Sequence, residues 1–244
     1  MSPGLGPGCS RSTSLCPEAA RIGHTTVMDK DDLKRARGAW RLRGQARPRG
    51  AVEPGPGQES VWDYPRPPRL EQSTRNVRIE FAGEVIADST GAFRVLETSH
   101  PPTWYIPPAD VRQHLLVPGS AQSSCEWKGH AHYYSLCLPD RLIADVAWTY
   151  KTPTARFSDI AGFLAFYPSK MDACYVDGQR VQPQEGDFYG GWMTSNIVGP
   201  FKGGPGTRQF IRVLRLLESF TLKKLADAVE YALDIDVIDP DSIR

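Results

Sequence analysis

From residue 76 onward the chain sets apolar against polar positions in short, regular runs. In "NVRIEF" (76–81) Val77, Ile79 and Phe81 fall on one face, and Arg78 and Glu80 on the other. "EVIADS" (84–89) and "AFRVLETS" (92–99) follow, separated by turns containing Gly83 and Gly91. A period of two broken by glycine turns predicts an antiparallel meander. "YIPPADVRQHLL" (105–116) predicts one short helix: Pro107 and Pro108 open it, Asp110 sits in its first turn, and Val111, Leu115 and Leu116 share a face. "AHYYSLCL" (131–138) and "RLIADVAWTY" (141–150), split by Pro139-Asp140, predict a hairpin. "GFLAFYP" (162–168) and "DACYVDGQRVQ" (172–182) close the set, with Asp177-Gly178 as a two-residue turn. Strand after strand with one short helix predicts a mainly β chain, a compact antiparallel β domain. No βαβ alternation appears, which excludes a doubly wound sheet.

The flanks follow another grammar. Residues 1–57 hold few apolar positions and no lasting period, so they cannot bury enough surface to offset their ordering entropy. They read as a disordered tail. Its piece "DLKRARGAWRLRGQARPRG" (32–50) is basic and could touch nucleic acid or an anionic surface, but its composition is that of a solvated tail. Asp29, Asp31 and Asp32 cut against the acid-poor pattern of a transit peptide. The β domain, taken as 58–182, begins with an arm, "SVWDYPRPPRLE" (60–71), whose X-Pro pairs disfavour helix. Residues 183–207 read as a Gly-rich extended arm that packs through Tyr189, Trp192 and Phe201. Residues 208–244 read as a helical extension. Phe210, Val213, Leu214 and Leu217 form one face; beyond a phase break near Ser219, Thr221 caps a second face of Leu222, Leu225, Ala226, Val229 and Leu233. Two helices and one kinked helix fit equally. Such faces must find a surface, either the β domain or a second chain, as in a homodimer.

Charge and cysteine content narrow the setting. The 244 residues carry a formal net charge of +1, with a pI of about 7.7. That gives no overall drive toward nucleic acid or a membrane. No apolar run reaches the ~18 residues of a transmembrane helix, and no apolar core of a secretory signal opens the chain. Cys9, Cys16, Cys125, Cys137 and Cys174 are odd in number and form no C-x-x-C pair. A reducing, cytoplasmic setting fits that usage better than a disulfide framework.

Candidate chemistry gathers in "SSCEWKGHAHYYS" (123–135). Cys125, His130 and His132 have zinc-type donors, yet no second Cys/His pair has zinc spacing, and His100 or His114 would have to complete the set. A Cys125 nucleophile would need Lys128 or His130 to activate it; a buried inert thiol is the competing reading. Lys128-Gly129 sets a cation beside an open backbone N–H, the elements of an anion cradle, against the reading of a solvated turn lysine. "GPFKGGPGT" (199–207) has phosphate-loop spacing, but Pro205 stands where the lysine is required, so no nucleotide-loop motif remains and no cofactor is expected. Tyr105, Tyr133, Tyr167, Trp148 and Tyr150 are strand aromatics that could line a site or fill a core. Glu97, on the third strand, is a candidate acid or base, with a surface strand residue as the alternative.

Several of these runs carry a family likeness. "RNVRIEFAGEVIADSTGAFRVLETSHPPTWYIPPADV", "CEWKGHAHYYS", "AWTYKTP" and "AGFLAFYPSKMDACYVDGQRV" occur in order over about 59–182 and together resemble the family catalogued as domain of unknown function 427, also known under a nucleotidyltransferase-like label. The arms "ESVWDYPRPPRLE" and "FYGGWMTSNIVGPFKGGPGT" resemble the flanks of bacterial members. The resemblance implies a small, mostly β domain in a soluble cytoplasmic protein, and no established reaction. It places Cys125, Lys128, Gly129, Ala131 and Tyr133 in the run C-x-[WY]-K-G-x-A-x-Y, and Trp148 and Tyr150 in W-[ST]-Y; His130 and His132 fall at variable positions. The first 57 residues and those after Thr207 have no counterpart in it.

Two functional readings follow. In the first, the β domain holds a small anionic ligand, a nucleotide among the options. Lys128 supplies charge and Gly129 its backbone; Tyr105, Tyr133, Trp148 and Tyr150 form a wall, and Glu97 and Lys128 are the catalytic candidates. In the second, the domain is a non-catalytic interaction module whose C-terminal helices make the contact. Convergence of Lys128 and Trp148 separates the two.

Overall fold

The structure is a computed structural model that describes residue 47, residues 51–184, residue 187 and residues 190–199. Its strands are β1 (Glu59–Ser60), β2 (Arg69–Gln72), β3 (Val77–Phe81), β4 (Glu84–Ser89), β5 (Phe93–Glu97), β6 (His100–Tyr105), β7 (Leu116–Cys125), β8 (Gly129–Cys137), β9 (Leu142–Thr149), β10 (Ala165–Phe166), β11 (Ala173–Val176), β12 (Gln179–Arg180), β13 (Gln182–Pro183), β14 (Trp192–Met193) and β15 (Ile197–Val198). The chain is thus mainly antiparallel β. The predicted short helix is present as two 3-10 turns, Pro108–Asp110 and Gln113–Leu115. Between them Val111 is extended and bridges to Ala87. Val111, Leu115 and Leu116 still pack on one core cluster, as their spacing suggested.

Three sheets carry most of the molecule. They run β12-β11-β3-β4, β2-β5-β6 and β10-β9-β8-β7. Ile106 and Leu164 exchange both backbone hydrogen bonds, at 2.8 and 2.9 Å, and so join the edge of the second sheet to that of the third. The apolar face of "NVRIEF" is buried as its alternation requires: Val77, Ile79 and Phe81 enter the largest cluster with Ile86, Trp104, Leu136, Phe166 and Trp192. A second cluster lies on the other side of β6 and β10, around Tyr105, Trp148, Tyr150, Phe157 and Ile160.

β6 explains why part of the pattern escapes a sequence reading. All six of its residues are buried, because Trp104 enters one cluster and Tyr105 the other. A strand covered on both faces shows no alternation. β7 escapes for the opposite reason: its stretch "GSAQSSC" has few apolar residues, and the strand borders its sheet.

The N-terminal arm is fastened at both ends. Val61, Tyr64, Leu96 and Ile197 form a third apolar cluster. β1 pairs in parallel with β15, so residues before and after the main sheets hold each other. Trp192 of the Gly-rich arm is buried, and its Nε1–H donates to the Phe166 carbonyl oxygen at 3.2 Å. Tyr189, Phe201 and the helical extension (208–244) lie outside the described residues, as does nearly all of 1–50. No helix among the described residues is long and apolar enough to cross a membrane.

Candidate functional site

Two hairpin tips carry the chemically interesting side chains. In the first, β5 turns into β6 through Thr98-Ser99, and Glu97 pairs in register with His100. The arm grips this turn. Ser99 N–H donates to the Val61 carbonyl at 2.9 Å, and the Thr98 hydroxyl donates to the Tyr64 carbonyl at 2.5 Å. The arm also delivers Arg66, whose Nη2 donates to Glu97 Oε1 at 2.6 Å, with both side chains buried. His100 is buried too, and its Nδ1 lies 2.9 Å from the Thr98 carbonyl oxygen.

The second tip joins β7 to β8 through Glu126-Trp127-Lys128, closed by the pair Cys125 and Gly129. Gly129 has φ +99, a backbone conformation glycine adopts without strain. Thr154 clamps the tip: its hydroxyl donates to the Trp127 carbonyl at 2.6 Å and its N–H to the Lys128 carbonyl at 3.2 Å. A tip lysine ordinarily reaches water. Lys128 instead is 5% exposed, with Nζ 5.8 Å from the ring centre of Tyr150 and 5.9 Å from that of Phe157.

Electrostatics tie the two tips together. Burial holds the His100 imidazole below its ordinary pKa; Glu97 opposes this, while Arg66 and Lys128 reinforce it. Burial pushes the Tyr105 phenol up to about 12, and Lys128 pulls the other way. Arg66, Glu97, His100, Lys128 and Tyr105 therefore share one low-dielectric region, with Glu126 also buried at the second tip.

A row of rings leads away from Lys128. Tyr150 meets Tyr105 at 6.2 Å, Tyr105 meets Trp148 edge to face at 6.4 Å, and Trp148 meets Tyr167 at 4.6 Å. Trp148 Nε1–H reaches the Tyr105 hydroxyl at 3.4 Å. Tyr167 hydrogen-bonds Tyr133, whose hydroxyl lies 3.0 Å from Ser123 Oγ. Gly190 covers the far end: a Cβ there would stand 2.6 Å from Trp148 Cη2.

Of the residues singled out from sequence, Glu97, Lys128, Tyr105 and Tyr150 are thus neighbours, with Gly129 beside them. Trp148 joins them through Tyr105, and Tyr133 stands at the opposite end of the row. Lys128 and Trp148 face the same cluster, yet rings lie between them. Glu97 is buried, unlike a surface strand residue. The zinc donors are scattered: Cys125 is buried against the rings, while His130 is exposed and bonded to Ser124 Oγ at 2.9 Å. No group of three metal-ligating side chains occurs among the described residues. Sequence reading missed Arg66 as a site residue and met His100 only as a spare metal ligand. Nothing in the proline-rich arm marks Arg66; for His100, the adjacent Glu97 was the available signal.

No curated protein matches this chain closely enough to count as a relative. A family model does match, over residues 69–177, from β2 to the end of β11. Its description is Domain of unknown function (DUF427), under a name that also carries a nucleotidyltransferase-type label. Both hairpin tips and most of the ring row lie inside that span, whereas Arg66 and Gly190 lie outside it. Over residues 69–177, the chain is thus similar to the family of domains of unknown function 427.

Proposed function

We propose that the cluster between the two hairpin tips binds a small anionic ligand. Lys128 is its charge partner and Gly129 offers a backbone N–H beside it. Tyr105 and Tyr150 form the near wall, and Trp148 and Tyr133 extend it. Glu97, anchored by Arg66, is the carboxylate of the site. The observation that carries this reading is the burial of Arg66, Glu97, Glu126 and Lys128 in a domain that already has large apolar clusters. Even paired, charges taken out of water cost several kcal/mol each. Groups buried at such cost concentrate at binding and catalytic sites.

A thermal-shift series with phosphate, nucleotides and small carboxylates tests the reading. A ligand at a hundred times its Kd adds about 2.7 kcal/mol to stability. Lys128→Met keeps the stem and removes the charge, so it abolishes the anion-dependent rise. If no anion raises the melting temperature, or Lys128→Met responds like the parent protein, the reading fails.

A further inference from the structure

The loop after β9 wraps the second tip, and Thr154 is where it takes hold. Its hydroxyl donates to the Trp127 carbonyl at 2.6 Å and its N–H to the Lys128 carbonyl at 3.2 Å. Those carbonyls belong to the two peptide units that meet at the Lys128 Cα. Each unit is planar, so fixing both carbonyls fixes the direction in which the Lys128 side chain leaves the backbone. Gly129, next in the chain at φ +99, adds no constraint of its own, since glycine has the widest backbone freedom. The same loop supplies the surroundings. Tyr150 and Phe157, whose ring centres lie 5.8 and 5.9 Å from Lys128 Nζ, flank Thr154 in sequence. Phe157 N–H donates to the Thr154 carbonyl at 2.8 Å, and Gly162 N–H to the Tyr150 carbonyl at 2.9 Å. Thr154 thus joins the tip to the rings that Lys128 faces. A lysine stem ordinarily carries its ammonium out to water. An inward course at a hairpin tip requires the backbone to be held.

We propose that Thr154 is the positioning residue of this site: its clamp on the tip holds Lys128 turned inward and so sets the affinity for the anion. This rests on the anion-binding reading above. The hydroxyl bond carries the effect, because the N–H bond to the Lys128 carbonyl survives a change of side chain. Without the hydroxyl, the Trp127 carbonyl loses this donor, the Trp127–Lys128 peptide unit can tilt, and the ammonium swings toward water. Thr154 touches no ligand in this account; it acts through Lys128.

Thr154→Val keeps the branched shape and removes the hydroxyl, while Thr154→Ser keeps the hydroxyl. In the ligand-free full chain, labelling with acetic anhydride followed by peptide mass spectrometry reads how often each amine meets water. Lys151 is exposed and calibrates the reagent. Lys170, whose Nζ donates to the Ala144 and Asp145 carbonyls at 3.0 Å each, reports on the rest of the sheet. In the parent, Lys128 is labelled far more slowly than Lys151. Thr154→Val speeds the labelling of Lys128 about tenfold, the scale of one lost hydrogen bond, and leaves Lys170 unchanged. Thr154→Ser labels Lys128 as slowly as the parent does. In thermal shift with inorganic phosphate, Thr154→Val needs about tenfold more phosphate than the parent for the same rise, and Thr154→Ser needs no more. The inference is overturned if Lys128 of the parent is labelled as fast as Lys151, if Thr154→Val leaves that rate unchanged, or if Lys170 speeds up as much as Lys128. It is overturned as well if Thr154→Ser behaves like Thr154→Val, or if phosphate stabilises the parent and Thr154→Val alike. If phosphate stabilises none of the three while the labelling follows the expected order, the result counts against the anion-binding reading and leaves the hold of Thr154 on Lys128 standing.

Discussion

Arg66 and Glu97 are the clearest case of a residue-scale dependence. Both are buried, and the hydrogen bond between them is 2.6 Å. Removing one partner of a buried pair strands the other, at a cost of about 3–5 kcal/mol. Arg66→Ala therefore lowers urea-unfolding stability by that amount, while the double change Arg66→Met with Glu97→Leu recovers most of it. Equal losses in the single and double variants would contradict this account. His100 makes stability depend on pH. Its folded-state pKa lies below the ordinary 6.5, so the fold favours the neutral ring. An unfolded chain then binds more protons across the interval between the two values. The stabilisation is complete above the unfolded value and is lost as pH falls through the interval beneath it. The melting temperature of the parent protein should fall more steeply with acid there than that of His100→Asn; matching slopes would refute the assignment.

Two glycines govern how elements meet around the rings. Gly129 closes the second tip at φ +99, and a Cβ there would meet only Thr152 O, at an ordinary 3.7 Å. Gly129→Ala thus acts through backbone strain alone, costing about 1–3 kcal/mol. Gly190 differs: it combines φ +57 with a Cβ position 2.6 Å from Trp148 Cη2. Gly190→Ala forces the arm off the ring or the ring off its neighbours, with an overpacking cost of about 1–3 kcal/mol added to strain. Because Trp148 touches Tyr105 and Tyr167, that variant also changes the near-ultraviolet circular dichroism. Gly129→Ala should leave that aromatic signal intact; a changed signal in both would show that the two tips and the row move as one unit.

At the scale of the whole molecule, the span matched by the family is not a self-sufficient core. Val61, Tyr64, Trp192, Ile197 and Val198 lie outside residues 69–177 and are buried. β1 and β15 fasten the two arms to each other, and the first arm holds the Glu97–His100 turn through three of its carbonyls, those of Val61, Tyr64 and Pro65. A fragment of residues 69–177 is therefore expected to lose cooperative unfolding and the near-ultraviolet signal. Trp192→Ala in the full chain costs about 3–5 kcal/mol, the range for a large aromatic in a core. A fragment that unfolds at the same urea midpoint as the full chain would show that the arms are ornaments.

What the sequence alone determined is the part governed by short-range periodicity. β3 buries Val77, Ile79 and Phe81 and leaves Arg78 and Glu80 partly exposed, and its alternation records that directly. Asp177-Gly178 and Gly83 mark their turns because positive φ, at +50, +74 and +77, selects such residues. The run around Lys128-Gly129 was visible because a cation, a glycine and aromatics are close in sequence. Only the tertiary structure decided that Lys128 points inward, since burial of a tip lysine depends on Tyr150, Phe157 and Thr154, which come from later in the chain. The same holds for β6, whose two covered faces erase the alternation. It holds most of all for Arg66 and His100. Their meaning is electrostatic proximity to Glu97 and Lys128, a relation between an arm and two hairpins that no local pattern encodes.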